Sequence, residues 1–113
     1  MNEFINKIIC GDCLEVMETM PDKCVDLIIT SPPYNLGNNH HTGAIKTQAY
    51  NDDLDEAEYE AIQLRVLLEC FRVLKDGGSV LYNHKNRIIK GEQISPYRWL
   101  FKTDFVFKQE LVW

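Results

Sequence analysis

No apolar run in this 113-residue chain approaches the roughly 20 residues that a membrane-spanning helix needs. The amino terminus, with Glu3 among scattered polar residues, also lacks the profile of a signal peptide, so a cytoplasmic location is expected. There are no internal repeats and no low-complexity segments. Cysteine is scarce as well: the four residues Cys10, Cys13, Cys24 and Cys70 would be thiols in that compartment rather than disulfides. Cys10 and Cys13 form a Cys-x-x-Cys, a spacing that by itself suits a redox or zinc site, but no second Cys or His pair has matching spacing, and His40-His41 falls in a polar stretch. No metal is therefore expected, and Cys24 and Cys70 are read as small apolar packing groups.

Positive charge is also in short supply. The formal net charge of −5 argues against a protein that binds a polyanion over its whole surface. The deficit is uneven, however: residues 1–70 hold 4 Lys and Arg against 13 Asp and Glu, while residues 71–113 hold 8 against 4. Lys85, Arg87, Lys90 and Arg98 cluster in the later half, after the end of an expected strand. They are the candidates for a phosphate-facing side; an ordinary solvated basic face is the alternative.

What remains is an ordinary globular composition, long enough for one small domain and not for two. Residues 5–10 alternate weakly before Gly11-Asp12 and suit a short strand. Leu14, Val16, Met17 and Met20 lie near helical spacing, and Pro21-Asp22 ends that pattern. Val25 to Thr30 is an apolar run suited to a strand buried on both faces, as in parallel sheets flanked by helices. From Asn35 to Asp53 the chain is polar and unusually long for a connection, which predicts a mobile lid. Asp52 or Asp53 can then cap a helix with apolar positions at Tyr59, Ile62, Val66, Leu67, Cys70, Phe71 and Leu74, closed by Lys75-Asp76-Gly77-Gly78. A strand over 79–82, a short helix over about 95–101 and a strand over about 105–113 complete an α/β alternation with a mostly parallel sheet.

Chemistry concentrates where the central apolar run ends, at Ser31-Pro32-Pro33-Tyr34. Ligand sites in parallel sheets lie beyond the carboxyl ends of the strands. Two consecutive prolines remove two backbone N–H donors, so this turn offers carbonyl oxygens and a hydroxyl with few competing donors. Such a turn suits an exocyclic base amine, whose lone pair is delocalised into its ring. Two acceptors on its N–H bonds draw the nitrogen towards tetrahedral geometry and free that pair for attack. The base must first leave its stack, at a few kcal/mol, and stacking on the Tyr34 ring would return about 1–3 kcal/mol. A strand-ending turn with a tyrosine packed on it is the plainer reading of the same residues.

The string Thr30-Ser31-Pro32-Pro33-Tyr34-Asn35 resembles motif IV of the amino-group DNA methyltransferases, which make N6-methyladenine or N4-methylcytosine. The likeness extends along nearly the whole chain. Ile8-Ile9-Cys10-Gly11-Asp12-Cys13-Leu14 looks like that family's strand ending in Gly-Asp. Glu69 to Gly78, followed by Val80-Leu81-Tyr82-Asn83-His84-Lys85, is similar to its later helix, turn and strand, and Gln109 to Trp113 to a further strand. The resemblance implies that Ser31 and the Pro32 carbonyl bind the target amine, with Pro33 completing the turn and Tyr34 stacking on the flipped base. It implies S-adenosylmethionine as cofactor, met by Asp12, Cys13 and Ser31, and DNA as partner.

His84 invites a catalytic role, but an amine that becomes acidic only as the methyl arrives needs no strong base. A structural or phosphate role is expected for Asn83 to Lys85. In the family order that places the Ser-Pro-Pro-Tyr segment first, the Phe-x-Gly-x-Gly turn for the cofactor and the target-recognition region come later, and neither is found in these 113 residues. The expectation is therefore the amino-terminal part, 1–113, of a Rossmann-like catalytic domain of restriction-modification, phage or prophage type, with several strands of the full sheet missing. Such a chain is a truncated product, one half of a split enzyme, or a non-catalytic binding module. Its open strand edges predict self-association.

Overall fold

The computed structural model describes residues 1–37 and 52–112. Most of the expected lid, His40 and His41 included, lies outside the described residues. The element order is α1 (Cys13–Glu18), β1 (Val25–Thr30), α2 (Glu56–Val73), β2 (Leu74–Tyr82), β3 (Arg87–Ile89), β4 (Glu92–Ile94) and α3 (Tyr97–Leu100).

β1 and β2 form a two-stranded parallel sheet, and β3 and β4 form a separate antiparallel hairpin. The parallel register runs Leu27 to Ser79, Ile28 to Val80, Ile29 to Leu81 and Thr30 to Tyr82. Before it, Val25 pairs with Leu74, so Lys75 to Gly78 loops out as the expected glycine turn. Gly77 there has φ +80°. Gly78 has no room for a side chain, since a Cβ would lie 2.9 Å from the Lys75 carbonyl oxygen and 3.1 Å from that of Asp26.

α2 carries the fold. Its N-cap is Asp55, whose carboxylate accepts from the Ala57 N–H at 3.2 Å. Asp52 and Asp53 lie before this cap. The helix buries Tyr59, Gln63, Leu67, Cys70 and Val73, a stripe at three- and four-residue spacing. Near its far end Arg72 reaches the Met17 and Met20 carbonyl oxygens at 2.7 and 2.9 Å and the Asp22 carboxylate at 2.6 Å, tying α2 to the turn between α1 and β1. The core beneath the site joins Tyr59, Leu67, Ile94 and Trp99, with Leu54, Leu64, Tyr82, Ile89, Leu100 and Phe105 packed against it.

Three expectations are corrected. Residues 5–10 and the described part of 105–113 form no strand. Their pattern permits extension, but a strand exists only beside a hydrogen-bonding neighbour, and none of the described residues supplies one. Val25 to Thr30 is the strand expected, yet it is not buried on both faces: Ile29 remains 71% exposed and Leu27 and Leu81 are exposed beside it. Helical cover lies on the face of Ile28 and Val80, and the other face has none among the described residues.

Candidate functional site

Parallel pairing brings the two strand ends together. One more ladder bond, from the Asn83 N–H to the Thr30 carbonyl at 2.9 Å, continues past β1 and sets Asn83 beside Ser31. The Asn83 amide nitrogen then donates to Ser31 Oγ at 3.1 Å and to Tyr34 Oη at 2.9 Å. The two hydroxyl oxygens are 3.0 Å apart.

The rest of the turn is held from the start of α2 and the residues just before it. Asn35 adopts a left-handed φ of 55°, which asparagine tolerates better than most residues. Its side-chain oxygen accepts from the Leu54 N–H at 2.7 Å and its nitrogen donates to the Leu54 carbonyl at 2.8 Å and to Glu56 Oε1 at 3.1 Å. Tyr59, on the buried face of α2, donates to the Pro33 carbonyl at 2.5 Å. That bond leaves the Pro32 carbonyl as the proline oxygen to which no donor among the described residues is bonded.

His84 forms the back wall. Its ring lies 5.0 Å from that of Tyr34, stacks at 12° on Tyr82 with 5.8 Å between centroids, and meets Trp99 edge-on at 5.2 Å. The single Tyr59 hydroxyl proton is used on Pro33, so the 2.7 Å contact with His84 requires Nε2–H to be the donor. Nδ1 is then free to accept from the Lys85 N–H at 2.9 Å. Burial holds the imidazole below its ordinary pKa, consistent with this neutral form. Burial also pushes the Tyr82 phenol up to about 12, so it stays protonated and donates to Gln63 Oε1 at 2.5 Å.

The sequence-derived candidates divide. Ser31, Pro32, Pro33 and Tyr34 form one constellation with Asn83. Asp12 caps α1, accepting through Oδ1 from Leu14 at 2.9 Å and Glu15 at 3.4 Å, and among the described residues no hydrogen bond engages its Oδ2. Cys13, the first residue of α1, has its thiol pKa raised by burial and by Asp12, the reverse of an activated thiolate. Among the described residues no group of three or more His, Cys, Asp and Glu could hold a metal ion.

Lys85 and Lys90 are exposed and engage no acidic partner among the described residues; Lys90, at φ 51° before Gly91 at φ 79°, forms the tip of the β3–β4 hairpin. Arg98 is exposed and reaches Glu60 at 3.6 Å. Arg87 is a correction. It is 3% exposed, with Nη1 and Nη2 on the Glu56 carboxylate at 2.7 and 2.9 Å and its guanidinium over the Tyr59 ring. Sequence reasoning placed it with the basic cluster, whereas strand alternation in β3 turns it inward and Ile88 outward. The same reasoning missed Tyr59 as a clamp, because a tyrosine at a helical core spacing reads as packing alone.

A small α/β unit, one parallel strand pair backed by helices with a hydroxyl- and carbonyl-rich turn at its carboxyl rim, is the class that fold and site define. The DNA methylase family model for N6 and N4 enzymes matches residues 25–113, and the chain belongs to that family. It is 34% identical over 87 residues to the type II methyltransferase M.HinfI of Haemophilus influenzae, covering 71% of this chain and 24% of that protein. It is 35% identical over 80 residues to M.BglII of Bacillus subtilis, covering 71% and 19%. With M.BamHI of Bacillus amyloliquefaciens it shares 39% over 80 residues, covering 70% and 18%. The chain thus spans about a quarter or less of the length of these relatives. No helix among the described residues is long and apolar enough to cross a membrane.

Proposed function

We propose that residues 1–113 are the target-base half of an S-adenosylmethionine-dependent DNA methyltransferase that modifies the exocyclic amine of adenine (N6) or cytosine (N4). The observation that carries this is the division of labour among the acceptors. Tyr59 occupies the Pro33 carbonyl while the Pro32 carbonyl and one Ser31 lone pair remain for the two N–H bonds of an amine. The half-buried Tyr34 ring, with His84 beside it, stacks on the extruded base.

What the chain offers the cofactor fits only an edge of it. Asp12 keeps one carboxylate oxygen for a hydroxyl or amino donor, with Cys13 beside it, and Ser31 lies at the rim where the methyl must arrive. Bound S-adenosylmethionine supplies the methyl group; a glycine-rich turn to enclose it belongs to the complementing half. The chain's own part is to hold the amine by Ser31 and Pro32 and to stack its ring on Tyr34. Lys85, Lys90 and Arg98 lie on the DNA side as phosphate contacts. The uncovered face of Leu27, Ile29 and Leu81 is where the remaining helices of a Rossmann-like sheet, or a second copy of the chain, would pack. The type II names of the relatives favour a restriction-modification role over a phage or prophage one.

Supplemented with its cofactor-binding half, the chain is expected to transfer a labelled methyl group to DNA and to lose that transfer when Tyr34 is changed to Ala. Transfer that survives Tyr34→Ala undiminished refutes the site. A complemented protein that methylates no DNA refutes the function and favours a non-catalytic fold fragment.

A further inference from the structure

We infer that Asn83 is a positioning residue that makes Ser31 a directional acceptor for the target amine, an inference that rests on the methyltransferase reading above. Three polar atoms form a closed triangle: Asn83 Nδ2 lies 3.1 Å from Ser31 Oγ and 2.9 Å from Tyr34 Oη, and the two hydroxyls are 3.0 Å apart. A carboxamide nitrogen carries two N–H bonds, one for each hydroxyl oxygen, and a hydroxyl carries one proton and two lone pairs. Asn83 therefore occupies one lone pair of Ser31.

The Ser31–Tyr34 contact settles the rest. If Tyr34 donates to Ser31, both serine lone pairs are used and Ser31 can only donate, which an amine cannot accept because its lone pair is delocalised and reserved for the methyl group. If Ser31 donates to Tyr34, its proton is committed and one lone pair remains, pointing away from both partners. Only this second arrangement receives an N–H. Without Asn83, the serine hydroxyl would rotate among its staggered positions and present a lone pair to the amine only part of the time. The amide is fixed in turn by its own backbone, since the Asn83 N–H is held on the Thr30 carbonyl at 2.9 Å. Asn83 is exposed, so its side chain contributes little to the core.

The test is a single-turnover methyl-transfer measurement on the chain with its complementing half, with 2-aminopurine fluorescence at the target position reporting base extrusion. Asn83→Ala is expected to slow transfer about tenfold, a loss equal to one or two hydrogen bonds. KM for DNA, the 2-aminopurine signal and the melting temperature should stay near those of the wild type. In a Ser31→Ala/Tyr34→Phe background the same substitution should change the residual rate less than twofold, because it acts only through those two hydroxyls. An Asn83→Ala variant as fast as the wild type, or a further tenfold loss in that background, overturns the inference alone. A wild-type assembly that transfers no methyl group overturns the methyltransferase reading and this inference with it.

Discussion

Cutting the Glu56 carboxylate back to alanine tests the frame that holds the site. The Arg87 side chain is 2% exposed and makes charge-assisted bonds to Glu56 at 2.7 and 2.9 Å, and its buried Nε has no partner among the described residues. Glu56→Ala would leave a guanidinium buried against Tyr59 and Trp99 with no carboxylate, and breaking a buried pair from one side costs about 3–5 kcal/mol. The Glu56 side chain keeps 33% of its surface in water, so the lower end, about 3 kcal/mol, is expected, since water can partly replace it. Arg87→Met removes the buried charge, keeps an apolar stem against the two rings and lets Glu56 turn to solvent, at about 1–2 kcal/mol. The double variant should then cost no more than Arg87→Met alone, a coupling of about 3 kcal/mol. Urea denaturation followed by circular dichroism measures all three. If Glu56→Ala proves cheaper than Arg87→Met, or the two costs simply add, the reasoning that Arg87 is a buried charge dependent on Glu56 is wrong. Asn35 also donates to Glu56 Oε1, so the same variant should loosen the end of the Ser31–Asn35 turn.

Stability should fall as pH drops below about 6.5. The folded pKa of His84 is lowered by burial, so the unfolded chain takes up its proton first and stability is lost until the folded pKa is passed; melting temperature against pH should show this window, and His84→Gln should flatten it. A second loss is expected below about 4.5. There burial raises the Glu56 pKa, but the hydrogen bonds from Arg87 and Asn35 together with the charges of Arg87 and Arg98 leave it lowered, and Glu56→Gln should remove this window alone. Gly78→Ala should destabilise by about 1–3 kcal/mol in the same denaturation assay, because the added methyl meets two backbone oxygens, which cannot yield as the neighbouring Leu74 side chain can; a neutral result would refute the tight approach of the turn to β1. If the chain self-associates through the uncovered sheet face, Ile29→Glu should shift it to monomer by light scattering without lowering its melting temperature, since Ile29 is largely exposed.

The apolar run into Ser31-Pro32-Pro33-Tyr34, the helix over Glu56–Val73 and the glycine turn after it were all legible in the sequence. Periodicity, prolines and glycines act on backbone dihedrals and on one face of one element, so they can be read locally. The strand at 5–10 and the final one could not be decided that way. A run that favours extension becomes a strand only beside a neighbour, and neighbours are a property of the assembled sheet. Burial misled in both directions: Ile29 reads as core and is open, because no described helix covers that face, while Arg87 reads as surface and is closed, because β3 turns it onto Glu56. The aromatic and amide clamps could not be read locally for the same reason, since Tyr59 and Asn83 lie 26 and 49 residues along the chain from the Pro33 carbonyl and the Tyr34 hydroxyl that they hold. By itself the sequence determined which groups the turn presents: a hydroxyl, proline carbonyls without N–H competitors, and an aromatic ring. Only the tertiary structure decided which of them are already engaged, because a hydrogen bond from Tyr59 takes up the Pro33 carbonyl and a pair from Asn83 reaches the hydroxyls of Ser31 and Tyr34.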